Sequence, residues 1–420
     1  MTETNNSALN PLYNNELGFI EAQTKPLSLE KVENEYRTPW TNRAITILTS
    51  ISTGIAFGFV MYQSGVALPS GMRGQMVFTR EGMIKMWMGA ALSSYFFCLV
   101  FALVAADRFT AIRKRRPWGK RGLFTSAFGA FVQGVGIAIS GSACGGMTFT
   151  QMGASVPNAW LIFLGGLAGA LVHGFLEPLV QERQVRDFNY TLKNRLDPGY
   201  LDLAWKVPFT KIAAGMIVLF AALIGVFEGV FPWQTDLLGL QGVRTVDTGL
   251  LNPTAAGIVV GVLQVPMFVL LGTFLGTSGG YTILVSQWLR VPLFVFRHHP
   301  ERLAEVKQAF PVFYSGVNSD GYFQIVYCLA AALGGYVSRA HAPQDAGIAA
   351  GVGVGFAVVG GFLNIFGARV CSGCVCGHGV SGMSILSVNG FIVTPSMWVG
   401  AVVTGFALRA IIGDSAYYLW

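Results

Sequence analysis

The chain has 420 residues, 53% of them hydrophobic and only 12% charged, with a mean hydropathy of +0.53. That charged share is about half the usual value and excludes an ordinary soluble enzyme or a disordered scaffold. Its 53 glycines suit helices that approach closely and break often inside a bilayer, and the net charge of +7 reads as lysine and arginine of cytoplasmic loops, not as a nucleic-acid footprint.

Taken in chain order, residues 1–43 are polar, carry both charge signs and lack the basic start and apolar core of a signal peptide, so a cytosolic N-terminal segment is expected. Apolar runs long enough to span a bilayer follow near 45–66, 84–106, 123–143, 156–180 and 211–232. Further runs near 254–275, 322–338, 345–370 and 391–413 bring the expectation to about nine transmembrane helices. Shorter apolar stretches such as 281–296 read as re-entrant or interfacial. The expected fold class is an all-α polytopic membrane protein.

Orientation follows from charge. Arg108, Arg113, Lys114, Arg115, Arg116, Lys120 and Arg121 form a short basic loop, which belongs in the cytosol, and two spans before it place the N-terminus there too. By the same count, Arg183, Arg186, Lys193, Arg195 and Lys206, and then Arg290, Arg297, Arg302 and Lys307, fall on that face.

Internal repetition adds a second layer. Gly54-Ile-Ala-Phe-Gly58 returns as Gly257-Ile-Val-Val-Gly261, and Ser140-Gly-Ser-Ala-Cys144-Gly-Gly146 returns as Val370-Cys-Ser-Gly-Cys374-Val-Cys376. This divides the chain into a first half at 44–210, a linking span and loop at 211–253, and a second half at 254–420. Five spans separate the two starts, an odd number, so the second half is expected to be inverted in the membrane. Inverted repeats with broken helices at matching positions point to a transport site near the midplane.

Two stretches carry candidate chemistry. In the first, Gly136 to Gly153, glycine content is too high for a straight helix, and backbone N–H groups at a helix start would favour an anion beside Cys144, Gly145 and Gly146. Close helix packing with a small buried thiol is the simpler alternative. In the second, Gly367 to Met383, Cys371, Cys374, Cys376 and His378 are interleaved with Gly373, Gly377 and other glycines. These thiols and imidazole suit a permeation path, a soft metal site, or a redox pair. Haem attachment is excluded because no histidine directly follows Cys374.

At these residues the chain resembles the YeeE/YedE sulphur-transport family. Cys374-Val-Cys-Gly-His-Gly-Val-Ser-Gly382 is similar to the family's Gly-Cys-Thr-Ser-Gly-His-Gly pattern, and Ser140-Gly-Ser-Ala-Cys-Gly-Gly146 to its first-half counterpart. Gly276-Thr-Ser-Gly-Gly-Tyr281 and the stretch from Gly71 through Gln75 to Lys85 and Met86 also match, so the resemblance covers most of 45–413. It implies uptake of thiosulphate or a related small sulphur-containing anion through two pseudo-symmetric inverted halves forming an hourglass. Cys144 and Cys374 match the two pathway cysteines that face each other, with Cys376, His378, Gly145, Gly146, Gly373, Gly377, Ser64 and Ser278 as further pathway residues. A third family cysteine after the first span is replaced here by the Tyr62-Gln-Ser64 stretch, and Cys376 is the thiol in position to compensate. The resemblance also implies a cytosolic sulphur-carrier partner of the TusA type, in addition to the lipid bilayer.

The chemistry stands beside the resemblance. A small oxyanion leaving water needs its hydration replaced by N–H dipoles and other donors. At a constriction, a thiol offers a weak, polarizable donor that contacts a terminal sulphur without trapping it. His378 would add a donor or orient the loop. Arg369 would attract anions or snorkel to the interface. His173 and Glu177, four apart, suit an intrahelical hydrogen bond or a proton relay. Met61, Met83, Met86 and Met88 read as packing or lipid-facing groups, and Cys98 and Cys328 as inert. Without a Walker-type Gly-x-x-x-x-Gly-Lys-Ser/Thr motif the chain is not itself an ATP-driven pump. The reading is a non-enzymatic permease of the plasma membrane, needing no cofactor or metal. A membrane thiol oxidoreductase using Cys371, Cys374 and Cys376, and a selenium or metal permease, remain as alternatives.

Overall fold

Backbone groups inside a bilayer must find partners within the protein, so long apolar runs fold as helix and a break needs local compensation. The computed structural model describes residues 40–115, 122–193, 199–233, 251–317, 320–341 and 351–413. The polar N-terminal segment, the basic residues Arg116, Lys120, Arg121 and Arg195, and most of the second half of the 211–253 linker lie outside them. Helices run in the order α1 (Trp40–Gln63), α2 (Pro69–Met76), α3 (Gly82–Val104), α4 (Ala106–Arg115), α5 (Leu123–Ser140), α6 (Gly145–Gly153), α7 (Ala159–Lys193), α8 (Leu201–Trp205) and α9 (Phe209–Val230). They continue as α10 (Pro253–Val262), α11 (Gln264–Leu271), α12 (Ser278–Ser286), α13 (Arg290–Val295), α14 (Pro300–Ala309), α15 (Pro311–Val317), α16 (Phe323–His341), α17 (Val354–Val370) and α18 (Val388–Ile412), with a wide π-type helical stretch at Cys376–Gly382 before α18. Among the described residues there is no strand, only an isolated antiparallel bridge between Tyr200 and Ser387. The protein is an all-α polytopic membrane protein.

Among the described residues, seven helical segments are long and apolar enough to cross a membrane, counting α5 with α6 and α10 with α11 as continuous. The expected runs near 322–338 and 345–370 appear as α16, with 19 residues, and α17, with 17. The apolar stretch near 281–296 is split among α12, a 3-10 turn and α13, too short to span.

Four times a long helix stops at a residue with left-handed backbone and gives way to a short buried helical stretch. Gly65 (φ 71°), Gly141 (φ 64°), Gly272 (φ 61°) and Ser372 (φ 64°) follow α1, α5, α11 and α17, and precede α2, α6, α12 and the π-type stretch. At Gly141 space is also limiting, since a Cβ would sit 2.7 Å from that of Pro69. Carbonyls freed at these breaks are bonded by buried amides. Gln151 donates to Ala67 and Gly141, both at 2.9 Å, and Asn364 donates to Ser142 at 2.7 Å. Such recovered bonds are what make non-helical backbone tolerable at this depth.

The repeated glycines serve contact. Gly54 and Gly58 of α1 lie against Tyr327, Ala330 and Ala331 of α16, whereas Gly257 and Gly261 of α10 lie against Met86, Ala90 and Ser93 of α3. A Cβ at Gly58 or Gly257 would come within 2.8 Å of a backbone carbonyl carbon on the facing helix, far inside van der Waals contact. Around them, α5 packs on α17 and α18, and α17 packs on α7. Leu103, Phe128, Val218, Leu333 and Val403 point outward, as lipid-facing residues should. The four methionines read as packing or lipid-facing resolve to packing, since Met61, Met86 and Met88 are buried and Met83 packs against the core.

α9 is peripheral, with only 11% of its apolar window buried. Buried Lys85 of α3 anchors it, pairing with Glu228 at 3.2 Å and donating to the Phe231 carbonyl. Arg113, expected as a loop cation, is instead buried at the end of α4. Its guanidinium grips Asp202 at 2.7 and 3.2 Å and lies 4.0 Å from the centre of the Tyr200 ring. This pair joins the first two basic connections, so they share one face of the protein. The same segment reaches the chain before α18 through Leu201 N–H to Leu386 at 2.9 Å and Val388 N–H to Gly199 at 3.2 Å.

Candidate functional site

The breaks bring thiols together at the middle of the core. Cys144 precedes the first turn of α6, where the Thr148 N–H bonds its carbonyl at 3.0 Å. Cys374 and Cys376 open the helical stretch after α17, with the His378 N–H closing a turn on the Cys374 carbonyl at 2.9 Å. All three belong to one buried cluster with Met147, Tyr281, Tyr327 and Cys328, and they are 2%, 1% and 7% exposed in sequence order.

The closest approach is between Cys144 and Cys376, whose sulphurs are 3.7 Å apart. Cys376, and not Cys374, is thus the second-half cysteine in contact with Cys144, and all three share one buried cluster. The Cys374 sulphur meets the Thr277 hydroxyl at 3.5 Å. Among the described residues, no group of three or more histidine, cysteine or acidic side chains has the geometry to hold a metal ion.

The glycines shape this space. A Cβ on Gly145 would stand 2.6 Å from the Tyr281 ring and 3.5 Å from the Thr277 hydroxyl, and one on Gly146 would press on Thr277 and Phe57 at 3.1 and 3.2 Å. A Cβ on Gly373 would run into the His378 imidazole. His378 is fully buried and donates from Nε2 to the Cys371 carbonyl at 3.0 Å, bracing the break. Cys371 turns its thiol to the Gly373 carbonyl at 3.1 Å and to Gln133 and Ala368 at longer range.

Other expected residues take humbler places. Ser64 is buried and donates to the Met61 carbonyl at 3.2 Å within its own turn. Ser278 begins α12, but its neighbour Thr277 is the residue that reaches Cys374. His173 and Glu177 make their intrahelical contact at 3.1 Å. Arg369 lies partly exposed in the last turn of α17. Cys98 donates to Ser384 at 3.6 Å, outside the central cluster, whereas Cys328, expected to be inert, is 1% exposed and lies within it. Thr277 and Tyr281 belong to the Gly276–Tyr281 motif but are not among the expected pathway residues, and Tyr327 belongs to no motif. Thr277 and Tyr281 flank a Thr-Ser-Gly-Gly run that marks them, but Tyr327 lies mid-helix with no local signal.

Chemically, the arrangement is a buried cluster of polarizable S–H groups beside the Thr277 hydroxyl, with no fixed charge among the named groups. No curated protein matches the chain. Residues 63–403 match a family model described as sulphur transport.

Proposed function

We propose, since this chain belongs to the sulphur-transport family, that it is a permease for thiosulphate or a related small sulphur-containing anion. The observation that carries this is the meeting of Cys144, Cys374 and Cys376 at the junction of the broken helices. Desolvating a small anion is costly, and the Thr277 hydroxyl beside Cys374 supplies a donor where the side chains are buried. The thiols then contact the terminal sulphur of the anion and hand it across the neck.

The exchanged packing, α1 on α16 and α10 on α3, supports two inverted halves at 44–210 and 254–420. In that arrangement the basic connections joined by Arg113 and Asp202 face the cytosol of a plasma-membrane protein, with the N-terminus on the same side. A sulphur carrier of the TusA type would accept the anion there. The oxidoreductase alternative needs Cys371 beside Cys374 and Cys376, and the Cys371 contacts with Gly373, Gln133 and Ala368 favour a bracing role instead.

Uptake of labelled thiosulphate into proteoliposomes tests the reading. Cys144→Ala and Cys374→Ala are expected to reduce uptake at least tenfold while leaving the folded yield unchanged, and Cys98→Ala is expected to transport normally. Wild-type uptake by both neck variants would overturn the thiol mechanism.

A further inference from the structure

Two tyrosines stand beside the thiols, and neither hydroxyl has a hydrogen-bond partner of acceptable geometry among the described residues. Tyr281 and Tyr327 are each 1% exposed. A Tyr281 hydroxyl beside Thr148 has a second group close by. The Tyr327 side chain lies in one buried cluster with Cys144, Cys328, Cys374 and Cys376, and its hydroxyl has no hydrogen-bond partner among the described residues.

A buried donor without a partner costs about 1–3 kcal/mol, so a native site that keeps one invites a functional account. The ring itself is well supported. It packs 5.5 Å from the Phe57 ring, and its helix is pressed onto Gly54 and Gly58 of α1. The hydroxyl is therefore held in place by groups that make no use of it.

We propose that Tyr327 is the oxyanion donor of a two-part binding site in which Cys144, Cys374 and Cys376 contact a terminal sulphur and the phenol O–H binds an oxygen of the same anion. This deepens the permease reading and rests on it. The ligand class is an anion with a soft sulphur end and a hard oxygen end. Sulphate offers only the oxygens, and hydrosulphide only the sulphur, so each engages one part of the site.

The test measures binding of sodium thiosulphate, hydrosulphide and sulphate to the purified full-length protein by titration calorimetry, together with uptake into proteoliposomes. Tyr327→Phe removes one oxygen and keeps the ring against Phe57, so the fold is retained. It is expected to weaken thiosulphate about tenfold or more, the usual effect of losing a hydrogen bond to a charged group, and to leave hydrosulphide unchanged. Cys376→Ala is expected to weaken both. Equal thiosulphate affinity in wild type and Tyr327→Phe overturns the tyrosine assignment alone, as does an equal loss for thiosulphate and hydrosulphide. Failure of the wild-type protein to bind or transport thiosulphate overturns the permease reading and this site with it.

Discussion

Replacing Asp202 by Asn removes one charge from a buried pair without changing its shape. The Arg113 and Asp202 side chains are each 10% exposed, and the two bonds of 2.7 and 3.2 Å are a bidentate fork. Breaking a buried pair by removing one partner typically costs about 3–5 kcal/mol, because the surviving charge stays desolvated. Here Arg113 keeps the faces of Tyr200, Phe209 and Phe109 at 4.0, 5.1 and 5.6 Å, and cation–π contacts of this kind recover roughly 0.5–2 kcal/mol. The expected net loss is about 2–4 kcal/mol. It should spread to the neck, since the neighbouring Leu201 N–H holds Leu386, four residues beyond the end of the helical stretch that carries Cys376 and His378. Thermal unfolding in detergent of Asp202→Asn, Arg113→Met and the Arg113→Met/Asp202→Asn double variant measures the coupling. The double variant leaves no buried charge and should be more stable than the sum of the single losses predicts, by about 2 kcal/mol. Strict additivity, or single losses below about 0.5 kcal/mol, would show that the pair is solvated and not a clamp.

Three more outcomes follow from the packing. Gly58→Val and Gly257→Val drive a side chain into the backbone of Ala331 and Met86, so both should elute as aggregates, whereas Gly215→Ala, which meets nothing within 4 Å, should behave as wild type. Mild oxidation with diamide should cross-link Cys144 to Cys376, since their sulphurs need close only from 3.7 Å to about 2.05 Å, and peptide mapping that found Cys371 as the main partner would contradict the neck geometry. His378→Gln can still donate to the Cys371 carbonyl and should keep more thiosulphate uptake than His378→Leu, whose methyls leave that carbonyl unbonded; equal loss in the two would mean that the imidazole does more than brace the break.

What the sequence makes legible follows the range of the interactions. Apolar runs reveal the spans because burial in lipid acts on every residue of a run, and glycine clusters reveal the breaks because left-handed backbone is a local demand. The central cysteines stand out for the same reason. Their pairing does not, since Cys376 and Cys144 are 232 positions apart and only the fold decides which second-half thiol meets Cys144. Thr277 and Ser278 are adjacent, so a difference of about 100° around a helix start decides which one touches Cys374. Arg113 reads as a loop cation until Asp202, 89 positions away, is brought beside it. Tyr327 looks like any aromatic residue of an apolar span, and only the folded chain shows what its hydroxyl stands beside.

The location of the cations explains why the neck is built from thiols. Buried Arg73 donates to the Ile139 carbonyl at 2.7 Å and stands over the Phe356 ring, Lys85 is paired with Glu228, and Arg113 with Asp202. Each of these three buried cations is thus engaged by a partner other than Cys144, Cys374 or Cys376. Had one been placed at the neck, a unit charge 4 Å from a divalent anion would contribute roughly 8 kcal/mol at an effective dielectric of 20, enough to slow departure by a factor near a million. A hydrogen bond from a neutral donor to a charged group contributes about 1.5–3 kcal/mol, so a few such donors orient an anion that a fixed charge would hold far more tightly. Weak donors in number, not strong charge, therefore fit a site that must be both entered and left. The same reasoning gives the unpaired Tyr327 hydroxyl its value, because one more neutral donor adds selectivity for the oxygen end without turning the neck into a trap.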